Sequence, residues 1–202
     1  MLLWLAASPL VLASKSKIRR SVLVAAGIPV EARPAELDER AIEACAPSNE
    51  PSAVAAHLAR EKALLVGRSN PGRLVLGADQ VLALGGKRFI KPPDRAAARA
   101  QLRTLSGRTH SLHSAVACVQ NGTVAFEHVS VARLTMRTLS DRFLDAYLDA
   151  AGEAALESVG AYQLEGLGSQ LFEHVEGDYF AILGLPLLEV LDFLRRQGCL
   201  LP

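Results

Sequence analysis

The chain is poor in cysteine, in aromatic residues and in net charge. Cys45, Cys118 and Cys199 are its three cysteines, far apart in 202 residues. An odd number without short spacing argues against a disulfide framework and against a cysteine-built zinc site. The simplest reading is buried thiols in a reducing cytosol. Aromatics make up 5%, little material for stacking bases on a sheet. The formal net charge is +1, without the positive excess of a general nucleic-acid binder. No apolar run reaches the ~20 residues of a membrane span. Met1 to Ala13 comes nearest, but no basic residue precedes its apolar run and Pro9 interrupts it. It therefore reads as a buried first strand rather than a signal peptide. Both standard phosphate cradles are missing too: there is no Walker A pattern and no G-x-G-x-x-G after a strand. No repeat, low-complexity tract or linker breaks the chain.

What is present is apolar residues, half of the chain, mostly Ala, Leu and Val. That is enough for one ample core, so residues 1–202 read as a single domain. The composition suits an α/β layered fold better than an all-β sandwich, and it excludes intrinsic disorder. Pro9 to Ala13 reads as a strand and Ile28 to Arg33 as a second, with a helix between them closed by Gly27. Asp38 to Ala44 reads as a short helix. Ser52 to Val66 reads as a long one, capped by Ser52 and stopped by Gly67. Arg73 to Asp79 is an apolar run ending at a carboxylate, continued by Gln80 to Leu84 and a Gly85-Gly86 turn. Asp94 caps an Ala-rich helix ending at Ser106-Gly107. His110 to Val119 and Thr123 to Met136 flank Asn121-Gly122, a strong hairpin signal. Ser140 caps a helix to Ala150, residues 158–184 are Gly-rich and irregular, and Pro186 opens a last helix. The expected architecture is a mixed sheet with helices packed on it.

Three features carry chemistry. Lys15 to Arg20 places four cations and Ser14 and Ser16 around a strand-to-helix junction. Helix N-termini attract anions, and Ser hydroxyls with Arg forks suit a phosphate. Asp79 sits where ligands gather in open α/β sheets, at the end of a strand, with Gly77 permitting close backbone approach. A carboxylate there can hold Mg²⁺ or accept a proton from water. Asp38 and Glu39, with Lys62 and Lys91, supply what triphosphate chemistry needs: carboxylates for a metal and cations for phosphoryl oxygens. Taken alone, Asp79 is most simply a turn Asp, and Lys62 and Lys91 are most simply surface lysines. His110 and His113 fall on opposite faces of a strand, a poor metal pair.

These segments stand in a recognisable order. LASKSKIRR (Leu12 to Arg20), Asp38-Glu39, LAREKA (Leu58 to Ala63), GADQV (Gly77 to Val81), Lys91-Pro92, LSGRTH (Leu105 to His110), GAYQLEGLG (Gly160 to Gly168) and GLPL (Gly184 to Leu187) resemble the Maf-like nucleotide pyrophosphatases, also called septum-formation-inhibitor-like proteins. The resemblance covers about residues 9–197. It implies a single α/β domain, with an elongated mixed sheet flanked by helices and a cleft between two lobes, as in inosine-triphosphatase-like folds. It also implies metal-dependent hydrolysis of a nucleoside triphosphate to monophosphate and pyrophosphate, a house-cleaning reaction of nucleotide metabolism in the cytoplasm. Asp79 matches the proton acceptor, and Ser14, Arg19, Lys62 and Lys91 match phosphate-side positions. Glu39 and Asp79 match the holders of a divalent cation, Mg²⁺, Mn²⁺ or Co²⁺. A homodimer is implied as well; a stable nucleic-acid or membrane partner is not.

The sequence departs from the commonest family pattern at Ile18, Gln80 and Glu165, which match positions that set base specificity. Lys17 and Ile18 replace Pro-Arg of the turn, Gln80 replaces Thr, and Glu165 replaces Gln. Gln80 and Glu165 resemble the branch that takes 7-methyl-GTP; the common form resembles the dTTP/UTP branch. A carboxylate suits the modified purine, since it accepts from guanine N1–H and the N2 amino group and offsets the charge of a methylated ring. The alternatives are a dTTP/UTP pyrophosphatase and a non-catalytic nucleotide-binding regulator of septum formation.

Overall fold

The computed structural model describes residues 3–202. The elements in chain order are β1 (Leu10–Ala13), α1 (Lys17–Ala25), β2 (Val30–Ala32), α2 (Glu39–Ala44), α3 (Pro51–Arg68), β3 (Val75–Leu84), β4 (Lys87–Phe89), α4 (Arg95–Leu105), β5 (Thr109–Gln120), β6 (Thr123–Met136), α5 (Asp141–Ala151), β7 (Phe172–Glu176), α6 (Tyr179–Ile182) and α7 (Leu187–Arg196). The α/β class with a mixed sheet is borne out. Strands follow the order β2-β1-β3-β5-β6-β7, and β4 pairs with β3. β1 runs parallel to both β2 and β3, whereas β4 on β3 and β7 on β6 are antiparallel. The chain divides into two compact units. One comprises the chain up to Gln80 with Ser114–Ser130 and Gly184–Pro202; the other comprises Val81–His113 and Val131–Leu183.

In the first unit, β1 is wholly buried and α3 lies against the sheet. Ala55, Leu58, Ala59, Lys62, Ala63 and Val66 form the buried face of α3, the three-and-four spacing of a helix packed on one side. Gly77 of β3 meets this face where a Cβ would run into the Ala59 carbonyl oxygen and stand 2.8 Å from the Ala63 nitrogen. The close approach expected of Gly77 is therefore real, and it brings the helix backbone down onto the strand.

In the second unit the core gathers Leu82, Leu102, Leu105, Leu134, Met136 and Leu144. Within it, His110 Nε2 and the Tyr162 hydroxyl are 2.8 Å apart, and Nδ1 has no partner among the described residues. Burial lowers the His110 pKa to about 4. The unfolded chain takes up this proton near pH 6.5, so stability present above that pH drains away as pH falls toward 4. The loss is about 3 kcal/mol for a shift of this size. Denaturant titration of His110→Gln at pH 7 and pH 4.5 checks this. The variant loses less stability on acidification than the wild type; an identical loss in both removes His110 as the cause.

Several sequence expectations need correction. The buried first strand is confined to Leu10–Ala13: Leu3 and Leu5 are exposed, and Trp4 forms an isolated antiparallel bridge with Leu200. The Met1 and Leu2 part of that expectation lies outside the described residues. The second strand is shorter than expected, three residues from Val30. α3 starts at Pro51 after Glu50, since proline is favoured in the first turn, and it runs through Gly67 to Arg68. Gly67 is buried inside that helix, where a Cβ would press on Val119 at 3.2 Å; it serves packing rather than termination. The cysteines are not uniformly buried: Cys118 is, Cys45 is exposed and Cys199 lies between. The irregular stretch contains β7, whose residues are mostly exposed and lack an alternating pattern. The Asn121-Gly122 turn is as expected, with both residues at positive φ. Among the described residues no helix is long and apolar enough to cross a membrane.

Candidate active site

The parallel pairing of β1 with β3 ends at Ala13 opposite Gly77. Just beyond that point β1 gives way to Ser14 and the basic turn, while β3 carries on through Asp79. Asp79 is thus a mid-strand residue, not the end of its strand as expected, because Gln80 to Leu84 supply a further apolar run that pairs with β4. The strand whose carboxyl end marks the site is β1.

Asp79 is 8% exposed. Its Oδ1 accepts a hydrogen bond from Lys62 Nζ at 2.5 Å. Lys62 is buried to the same degree and also pairs with Glu39 Oε1 at 2.6 Å. Lys62 reaches Asp79 because it shares the inward face of α3 with Ala59 and Ala63, which Gly77 allows so close. Glu39 is the first residue of α2, an end where a carboxylate is favoured by the helix dipole; Asp38 caps that helix through the Arg40 and Ala41 N–H groups. Burial raises the Asp79 carboxyl above the ordinary aspartate range and Glu39 adds to this, while Lys62 and Arg19 pull it back. A raised carboxyl pKa moves the group toward the range where a general base works well at neutral pH.

The basic turn is split by the fold. Ser16 caps α1 by accepting from the Arg19 N–H. Lys15, Lys17 and Arg20 are exposed, and Arg19 alone turns inward. Its Nε donates to the Gly184 carbonyl at 2.8 Å, and its Nη1 donates to the Ala78 carbonyl at 2.8 Å and to Ser14 Oγ at 3.1 Å. Burial lowers the Arg19 pKa, and the charges of Asp79 and Glu39 oppose this. Three of the protein's own acceptors therefore orient the guanidinium beside Asp79. Neither the Ala78 nor the Gly184 carbonyl was foreseeable as an anchor. Gly184 lies in the GLPL segment, and its φ of +89° is the one local sign that its backbone serves a special purpose.

Ser14, Arg19, Glu39, Lys62 and Asp79 are thus brought together within the first unit. Gln80 follows Asp79, so its side chain leaves the strand on the opposite face; there Nε2 donates to Ser114 Oγ at 2.9 Å. Ile18 is half-buried on α1. Lys91 and Glu165 belong to the second unit, each an exposed residue outside helices and strands.

Among the described residues no cluster of three or more His, Cys, Asp and Glu side chains is placed to hold a metal ion. Glu39 and Asp79 nevertheless share one ammonium, so the two oxygens stand within about 5 Å of each other. Two carboxylates with no nitrogen or sulfur donor fit a hard cation such as Mg²⁺, which commonly takes its remaining ligands from water and phosphate oxygens.

Relatives share this sequence along almost its whole length. A Rhodopseudomonas palustris protein described as a nucleoside triphosphate pyrophosphatase is 56% identical over 200 residues, 99% of each chain. A protein of the same description from Nitrobacter winogradskyi is 53% identical, again over 99% of each. A Brucella abortus protein described as a 7-methyl-GTP pyrophosphatase is 50% identical over 195 residues, 95% of this chain and 97% of its own. The family model described as Maf-like protein matches residues 9–197, the span over which the motifs showed their resemblance, and the chain belongs to the Maf-like protein family.

Proposed function

We propose that this protein is an enzyme that hydrolyses a nucleoside triphosphate to the monophosphate and pyrophosphate, with 7-methyl-GTP preferred over dTTP and UTP. The observation that carries the reaction is the buried Asp79–Lys62–Glu39 chain beside Arg19. Both signs of charge are held there in a largely dehydrated place, as a carboxylate base and a polyanionic substrate require. The descriptions of the relatives support the same reaction.

Asp79 in its ionised form accepts a proton from water. The water oxygen bonds to the α-phosphorus, the bond from that phosphorus to the bridging oxygen breaks, and pyrophosphate leaves with the electron pair. Lys62 releases part of its hold on Asp79 to a phosphoryl oxygen, and Arg19 and Ser14 face the phosphates from the β1 side. Glu39 and Asp79 would hold a divalent cation, which supplies charge neutralisation on the phosphoryl oxygens when bound. Lys91 is proposed as a further phosphate ligand, and Ile18, Gln80 and Glu165 as the residues that choose the base. A Glu165 carboxylate accepts from guanine N1–H and N2 and repels the O4 acceptor of thymine.

A panel of triphosphates tests the base preference. The value of kcat/KM for 7-methyl-GTP is expected to exceed those for dTTP and UTP by about tenfold or more, the factor carried by roughly 1.4 kcal/mol. Preference for dTTP or UTP overturns the assignment and favours the other branch of the family.

A further inference from the structure

Gln101 stands on α4 of the second unit and has no part in the chemistry above. Its amide joins two loops. Nε2 donates to the Ile90 carbonyl at 2.8 Å, and Oε1 accepts from the Gly160 N–H at 3.2 Å. Ile90 is bonded directly to Lys91, and its own side chain is 60% exposed, so burial of that side chain does not anchor the loop. Gly160 opens the segment that leads through Tyr162 to Glu165.

That segment needs holding. Gly160 and Ala161 have φ of +81° and +63°, and a left-handed alanine is unfavourable unless its surroundings enforce it. Three side chains do so: Tyr147 donates to the Ala161 carbonyl at 3.1 Å, His110 meets the Tyr162 hydroxyl, and Gln101 takes the Gly160 N–H. Of these, Gln101 is the one that also grips the loop before Lys91. An amide alone among side chains of this length offers a donor and an acceptor at one end.

We propose that Gln101 is a positioning residue that sets the Lys91 and Glu165 loops in register for substrate. The proposal rests on the reading that Lys91 meets phosphate and Glu165 meets the base. Two substitutions separate its arms, and both introduce good helix formers. Gln101→Glu keeps the acceptor for Gly160 and replaces the donor to Ile90 with a repelled carboxylate. Gln101→Met keeps the bulk and removes both hydrogen bonds.

Steady-state kinetics on 7-methyl-GTP and dTTP, with thermal melting as a check on folding, gives the test. Gln101→Glu is expected to raise KM for both nucleotides about fivefold, the factor one net hydrogen bond carries, with kcat within about twofold and the base preference kept. Gln101→Met is expected to raise KM similarly and also to lower the preference about fivefold. Calorimetric affinity for a non-hydrolysable triphosphate reports the same change without turnover. If Gln101→Met keeps the wild-type affinities and preference, or merely melts lower with kcat reduced alike on all substrates, the proposal is overturned. Failure of the base reading shows separately, as a wild-type enzyme without preference for 7-methyl-GTP.

Discussion

Asp79→Asn lowers kcat by about 10²- to 10⁴-fold, the usual contribution of a positioned general base. The amide is nearly the same size as the carboxylate, and Lys62 keeps Glu39 as its partner at 2.6 Å, so the variant folds and binds nucleotide. What it loses is the acceptor for the proton of water and one of the two carboxylates that would hold the cation. The pH profile gives the same result independently. Burial raises the Asp79 carboxyl, against the pull of Lys62 and Arg19, and only its ionised form is a base. The wild-type rate therefore climbs with pH on the acid side, and protonation of Asp79 shuts the reaction down. Asp79→Asn removes that limb. Initial rates from pH 4 to 8 read both effects; a variant with the wild-type rate and acid limb assigns the base elsewhere.

Gly77→Ala destabilises the protein by at least about 3 kcal/mol, the upper end of ordinary overpacking. The added methyl meets the Ala59 carbonyl oxygen and the Ala63 nitrogen and Cβ, which are parts of a helix backbone and its packed face and cannot swing aside. In a chain of this length the midpoint of thermal unfolding falls by roughly 10 °C. Any folded fraction has α3 displaced from β3, so Lys62 no longer reaches Asp79 and activity per folded molecule drops as well. Thermal melting with activity corrected for folded fraction checks this. A variant as stable and active as the wild type contradicts the packing described for Gly77.

The role of Gly77 was legible because a glycine just before a carboxylate in an apolar strand has few other uses. The capping residues Asp94 and Ser140 were legible for a similarly local reason, since each side chain accepts from a backbone N–H within three residues. Other features depend on partners distant in sequence. Asp79 looked like a strand end because the run before it was apolar; that its strand continues depends on pairing with β4. Gly67 looked like a helix stop because its packing against Val119, on β5, leaves no local trace. Residue chemistry alone does not rank the cations of the basic turn, because what turns Arg19 inward is the distant Ala78 and Gly184 carbonyls. β7 escaped notice because its burial does not alternate. The family resemblance recovered the residues of the first-unit cluster, while the hydrogen bonds that connect them became visible only in three dimensions.

The most direct measurement of the central claim is product stoichiometry. The protein is incubated with 7-methyl-GTP and Mg²⁺, Mn²⁺ or Co²⁺, and nucleotide, pyrophosphate and orthophosphate are quantified against Asp79→Asn. The predicted result is one pyrophosphate for each nucleoside monophosphate, no orthophosphate, and loss of both products in the variant. Nucleotide binding without turnover under every metal, or release of orthophosphate with nucleoside diphosphate, would contradict it.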